Sequence, residues 1–198
     1  MADSVLTRPS LLARIKDTGD RQAWAEFVDI YAPLIYGFVL KQGLQDADAA
    51  DLTQEVLGAV ARSAARFDYD PARGTFRGWL FRVVRNELAD FGNARKRHRP
   101  GSGDTDVKRR LEAEPAPSAD EAAAWERDYE RQLFALACEQ VRRDFQESTW
   151  QAFWRTAIQG KSGKTVAEML KMSTAAVYLA KRRVTQRLRQ QIEYLRAE

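Results

Sequence analysis

An all-α protein made of two small helical domains joined by a linker is the fold that three features of the sequence predict. Apolar residues recur with a period of about 3.6 along most of the chain, the mark of amphipathic helices. The stretch PGSGDTDVKRRLEAEPAPSA, rich in Pro, Gly, Ser and charge, interrupts that period between positions 100 and 119. A length of 198 residues accommodates two small domains. The expected division is a first domain over residues 1–99, a linker over 100–119 and a second domain over 120–198.

In the first domain, Ser10 to Lys16 reads as a short helix stopped at Thr18-Gly19. Arg21 to Val39 follows, with Trp24, Phe27, Val28, Tyr31, Leu34, Ile35 and Phe38 as a helical stripe, Pro33 inside it as a candidate kink, and Gly43 as its stop. Asp46 to Phe67, DADAADLTQEVLGAVARSAARF, buries Leu52, Val56, Ala59, Val60 and Ala64 and loads its first turns with Asp46, Asp48 and Asp51. Asp51 and Glu55 stand one helical turn apart, with Asp48 a turn earlier and Gln54 beside them. Three readings are open for these groups: favourable charge at a helix N-terminus, a docking face for a basic partner helix, and acid/base or metal chemistry.

Tyr69-Asp70-Pro71-Ala72-Arg73-Gly74 is a turn signal, because Pro fixes one backbone dihedral and Gly permits left-handed ones. The next helix carries Phe76, Trp79, Leu80, Val83, Val84, Leu88 and Phe91 on one broad apolar face, which reads as core. Arg82 and Arg85 point the other way, Asn86 lies at the boundary, and Arg95, Lys96, Arg97 and Arg99 collect charge at the C-terminal end, where the helix dipole favours it. Arginines packed this closely repel one another unless solvated or paired with phosphate, which suits a polyanion lying along the helix.

Composition narrows the function classes. A pI near 9.3 with a net charge of only +4 makes the placement of basic residues more informative than their sum. One cysteine, Cys138, excludes an internal disulfide and reads as a small core residue, and one histidine, His98, leaves no His/Cys cluster for zinc. With no Ser/His/Asp set, glycine-rich phosphate loop or nucleophile elbow, the expectation is a binding protein that is not an enzyme and has neither cofactor nor metal. No apolar run is read as approaching the roughly 20 residues of a membrane span. MADSVLTRPSLLARIK lacks the apolar core of a signal peptide, so a cytosolic protein without membrane insertion is expected.

The linker of about 20 residues reaches at most roughly 65 Å when extended and about 25 Å on average when coiled. Ser118-Ala-Asp-Glu121 has the capping-box pattern and opens a long helix to about Phe145 with Trp125, Tyr129, Leu133, Leu136, Ala137 and Val141 as its stripe. A second helix, Thr149 to Ile158, carries Trp150, Phe153 and Trp154, after which Gly160 and Gly163 break the chain. Thr165-Val-Ala-Glu168 reads as another capping box starting a short helix to Leu170, Lys171-Met172-Ser173 as a tight turn, and Ser173 as the cap of a longer helix from Thr174. Val177, Val184 and Leu188 share one face, with Thr174, Ala175, Tyr178, Arg182 and Gln186 mostly on the other. Short helix, tight turn and basic second helix form a helix-turn-helix, whose second helix enters a major groove; the plainer alternative is a helical hairpin with a solvated basic face.

Taken together, these residues resemble the extracytoplasmic-function (ECF) group of bacterial sigma-70 factors, the subunits that direct RNA polymerase to promoters. DAADLTQEVL, Asp48 to Leu57, is similar to the family's polymerase-binding segment, which implies Asp48, Asp51, Gln54 and Glu55 as contacts to the β′ clamp helices. RFDYDPARGTFRGWLFRVVRNELADF is similar to the −10 recognition and melting region. The resemblance implies a base pocket from the loop Asp68 to Phe76 with Asn86, and single-strand contacts by Asp68, Arg73, Phe76, Arg77, Arg82, Arg85, Asn86, Arg95, Lys96 and Arg97. TVAEMLKMSTAAVYLAKRRVTQRL resembles the −35 helix-turn-helix, implying Thr174, Ala175, Tyr178, Lys181, Arg182 and Arg183 at duplex DNA.

Two departures stand out: Ala180 occupies a position where many relatives carry Arg, implying one phosphate contact fewer, and Tyr178 a frequently basic one. The implied partners are the polymerase core and promoter DNA, as −10 single strand and −35 duplex. An anti-sigma factor holds many members, and no residue here identifies one. The factor is expected to be monomeric when free, in the bacterial cytoplasm, and on the nucleoid when in holoenzyme. The rival reading is a helix-turn-helix transcriptional regulator independent of polymerase; a magnesium-dependent nuclease using Asp48, Asp51 and Glu55 is a third class.

Overall fold

The structure, a computed structural model, describes residues 11–64, 75–97 and 117–196, with side chains omitted from 94–97. Among the described residues every regular element is helical: α1 (Leu11–Arg14), α2 (Arg21–Lys41), α3 (Asp46–Ala64), α4 (Phe76–Arg97), α5 (Ala119–Arg142), α6 (Glu147–Phe153), a π-helical turn (Trp154–Ile158), α7 (Gly163–Leu170) and α8 (Thr174–Arg196). They form two compact units, Met1–Gln132 and Leu133–Glu198.

The first unit starts from a fixed helix entry. Asp20 caps α2 by accepting from the Ala23 N–H at 2.9 Å. Arg14 grips the same carboxylate, Nε to Oδ2 at 2.9 Å and a terminal nitrogen to Oδ1 at 3.0 Å, and approaches Glu26 at 3.5 Å. The Arg14 guanidinium, and after it the Ala23 N–H, hold the Asp20 carboxyl below its ordinary pKa. The helix runs through Pro33 to Lys41 and stops at Gly43, whose φ of +86° a side chain would strain. By length and composition α2 could cross a membrane, which corrects the expectation that no run reaches that size. It contains Glu26 and Asp29 and buries Phe27, Ile30, Tyr31, Leu34, Ile35 and Val39, as the core helix of a bundle does. It packs on α3, and α3 on α4.

The two compact units divide within α5. The N-terminal half of α5, opened by a capping box in which Ser118 N–H meets Glu121 at 2.9 Å and Glu121 N–H meets Ser118 Oγ at 3.2 Å, belongs to the first unit. The cause is aromatic. Trp125 stacks on Phe81 with centroids 5.0 Å apart and meets Phe38 edge-on at 5.6 Å, and Tyr129 stacks on Tyr31 at 6.0 Å. Both rings are 1% exposed, and each such pair contributes about 0.5–1.5 kcal/mol beyond the area it buries. Lys41 also reaches Asp128 at 2.6 Å.

In the second unit, the C-terminal half of α5 supplies Ala137, Cys138 and Val141 to a core shared with Trp150, Phe153, Val184 and Leu188. Burial pushes the Cys138 thiol up to about 11, so it is a packing group and not a thiolate. A second cluster, Ala152, Val166, Ala167, Val177 and Ala180, holds α7 and α8 together. Ser162, not Thr165, caps α7: its Oγ accepts from the Thr165 N–H at 3.1 Å, and Gly163 is the first helical residue instead of a breaker. After α7 the chain turns at Lys171, held left-handed at φ 53°, while the Met172 N–H returns to the Ala167 carbonyl at 3.0 Å. Ser173 then caps α8 through the Ala176 N–H at 3.2 Å.

Candidate nucleic-acid interface

On α3, Asp51, Gln54 and Glu55 are exposed and Asp48 is half-buried. Only Asp46 and Asp48 lie in the first turn, and the favourable effect of a helix N-terminus fades beyond it. Charge capping therefore accounts for Asp46 and Asp48 but leaves Asp51 and Glu55 as a solvent-facing acidic strip. Asp46 accepts a hydrogen bond from the Tyr36 hydroxyl, which raises the phenol's pKa. Among the described residues, no three His, Cys, Asp or Glu side chains come together in a way that could hold a metal ion.

The residues of α4 divide between core and surface. Phe76 is 1% exposed and meets Phe27 at 6.0 Å and Tyr31 at 5.6 Å, so it packs in the core of this unit. Phe81, absent from the stripe expected from the sequence, is also 1% exposed. Arg77 is engaged within the unit: its Nε lies 3.0 Å from Glu126 Oε2, and its guanidinium lies over the Tyr129 ring, 4.6 Å from the centroid. Arg82 is exposed and Arg85 half-exposed. Arg85 adds, after the Ser118 hydrogen bonds, to the forces that lower the Glu121 pKa. Asn86 is 5% exposed, further inside than its boundary position suggests, and its Nδ2 finds no hydrogen-bond partner among the described residues. Such a group costs about 1–3 kcal/mol if it stays unmatched. Asp68, Arg73 and the Tyr69–Gly74 turn lie outside the described residues, as do the side chains of Arg95, Lys96 and Arg97, whose backbone extends α4.

On α8, Thr174, Ala175, Tyr178, Arg182 and Arg183 are exposed and Lys181 is half-buried. Among the described residues no ion pair engages Lys181, Arg182 or Arg183, whereas Arg187 is bound to Asp144 at 2.9 Å and to Gln191 at 3.0 Å. Gln191 in turn reaches Gln140 at 2.7 Å, so the C-terminal half of α8 is fixed to α5 within this unit. Ala180 is 5% exposed in the α7–α8 cluster. A side chain there faces the core, so the alanine removes no surface contact. The arrangement of α7, the Lys171 turn and α8 is a helix-turn-helix with basic residues free of ion pairs among the described residues, Lys181 to Arg183, toward the middle of its second helix. Sequence periodicity did not reveal the π-helical turn after α6, where the Gln159 N–H reaches the Trp154 carbonyl at 3.0 Å, because its apolar residues repeat as an α-helix would.

A helical bundle with an exposed acidic strip on α3 thus shares one chain with a helix-turn-helix built from α7 and α8. Residues 27–99 match the family Sigma-70 region 2. The chain is 33% identical over 81 residues to the ECF RNA polymerase sigma factor RpoE of Cereibacter sphaeroides, covering 41% of this chain and 44% of the relative. It is 35% identical over 112 residues to the ECF RNA polymerase sigma factor SigE of Mycolicibacterium smegmatis, covering 55% of this chain and 42% of the relative. The matched stretches thus span less than half of each relative's length. Over these stretches the chain is similar to ECF RNA polymerase sigma factors, and residues 27–99 carry the Sigma-70 region 2 match.

Proposed function

We propose that this chain is an RNA polymerase sigma factor of the extracytoplasmic-function type, which binds core polymerase and directs promoter-specific initiation. Its work is binding, not catalysis. Asp51, Gln54 and Glu55, with Asp48 at their edge, dock on the β′ clamp helices. The α4 surface and the segment before it take the opened −10 strand: Arg82 and Arg85 follow phosphates, and the unmatched amide of Asn86 offers hydrogen bonds to an unstacked base. Phe76 and Arg77 serve here as support for α4, and Asp68, Arg73 and Arg95 to Arg97 complete the path. Residues Thr174, Ala175, Tyr178, Lys181, Arg182 and Arg183 meet the −35 duplex. The protein acts where polymerase and promoter lie, in the cytoplasm.

One observation carries this reading: a region 2 match over residues 27–99 shares the chain with a helix-turn-helix whose Lys181, Arg182 and Arg183 have no ion-pair partner among the described residues. Side chains left without acidic partners are free to release counterions on meeting phosphate. Run-off transcription with core polymerase tests it. The expected result is transcript from specific templates only when this chain is added. Sequence-specific DNA binding without any transcript would instead establish the polymerase-independent regulator.

A further inference from the structure

The ring of Tyr178 lies against the first turn of α7. A Cβ built on Gly163 would stand 2.7 Å from Tyr178 Cζ, 2.9 Å from Cε2 and 2.9 Å from the hydroxyl oxygen. These separations are far inside van der Waals contact, so no residue with a side chain coexists with the ring in this place. Gly163 is buried and lies in ordinary helical conformation just after its cap, Ser162. Its backbone therefore gives no reason for glycine, which weakens a helix relative to alanine. The reason is the space that the ring occupies.

Tyr178 is attached near the N-terminus of α8, where a recognition helix reads base edges. The residue is nevertheless 57% exposed, and its neighbour Leu179 56%. One end is tethered to α8 and the outer edge rests on Gly163, so the ring is held at both ends while one face remains open. The hydroxyl is turned toward the α7 backbone, which leaves mainly carbon at the open face. An apolar surface of this kind in a major groove matches the C5-methyl of thymine.

We infer that Gly163 is a positioning residue for promoter reading: it admits the Tyr178 ring onto α7 and thereby fixes the direction in which that ring meets a thymine-bearing base pair. This rests on the reading of α7 and α8 as a DNA-binding helix-turn-helix. Because the clash falls on the far end of a side chain, Gly163→Ala displaces the ring and leaves the fold in place.

The test is selection of randomised duplexes by the full chain, followed by titration of the selected duplex and its single-base variants. Wild type, Gly163→Ala, Tyr178→Ala, Tyr178→Phe and the Gly163→Ala/Tyr178→Ala double variant are compared. The expected result is a thymine preference at one position that falls roughly five- to tenfold in Tyr178→Ala. Gly163→Ala weakens the preference at that same position, the double variant matches Tyr178→Ala alone, and Tyr178→Phe keeps the preference. An unchanged profile in Gly163→Ala, losses that add in the double variant, or loss of helical circular dichroism in Gly163→Ala would each overturn the positioning role while leaving the DNA-binding reading intact. Absence of any sequence preference in the wild type would overturn that reading, and the positioning role with it.

Discussion

Arg77 and Arg182 both stand on amphipathic, arginine-rich helices, yet the molecule uses them differently. Arg77 is turned inward along the first unit, paired with Glu126 and lying over Tyr129. Arg182 has no ion pair among the described residues, and farther along the same helix Arg187 is tied to Asp144. The difference shows that a run of arginines in the sequence mixes two kinds of work. Some fasten one helix to the next, and some stay outside any ion pair among the described residues. A surface ion pair of the Arg77 type contributes about 0–1 kcal/mol, so the fastening is light, and the rings beneath it provide most of the attachment.

The largest effect expected from this comparison is on the fastening side. Trp125→Ala removes a 1%-exposed ring from between Phe38 and Phe81 and is expected to lower the stability of the first unit by about 3–5 kcal/mol in denaturant titrations. A loss below about 1 kcal/mol would mean that α5 is not part of that core. Next comes docking. Asp51→Lys reverses an exposed charge on α3 and is expected to abolish retention on core polymerase while circular dichroism stays unchanged; undiminished retention would remove the acidic strip from the interface. Arg182→Ala is expected to reduce the salt slope of −35 duplex binding by about one unit, and Arg187→Ala to leave that slope unchanged. Equal slopes in the two variants would erase the distinction between free and committed arginines.

The smallest effect concerns pH. Arg14 first, then the Ala23 N–H, hold the Asp20 carboxyl below its ordinary value of 3.8. A depressed folded-state pKa contributes stability that is present above the ordinary value and is lost as the pH falls through the depressed one. Asp20→Asn is therefore expected to be less stable than the wild type near neutrality. The difference should narrow as the pH drops below about 4; urea titrations across pH 3 to 7 that show a constant gap would contradict the Arg14–Asp20 account.

Much of this was legible in the sequence because helical periodicity reports directly on which face is buried. The stripes of α3 and α8, the stop at Gly43 and the caps at Ser118 and Ser173 follow from local rules that the tertiary structure does not override, while on α2 the expected Val28 is 38% exposed and Ile30 and Val39 are buried. What stayed hidden depends on where an element goes after it forms. One continuous apolar stripe on α5 serves two cores, Trp125 and Tyr129 in the first unit and Ala137, Cys138 and Val141 in the second. Periodicity cannot divide such a stripe. Likewise Asn86 looks like a boundary residue, because a helical wheel ranks faces without knowing how deep each position is set; spacing places Phe76 on the core face, and only the resemblance puts it near a base. The cap of α7 is hidden because Thr165-Val-Ala-Glu168 fits the capping-box pattern and Ser162-Gly-Lys-Thr165 does not, and the Tyr178–Gly163 contact is not local in sequence.

Promoter selection from a random DNA library, performed with the chain alone and with the chain reconstituted on core polymerase, tests the central claim most directly. The account predicts two enriched blocks at a fixed spacing when polymerase is present, the downstream one absent without it and both lost from the polymerase-bound fraction in Asp51→Lys. A single block, the same with and without polymerase, would contradict it.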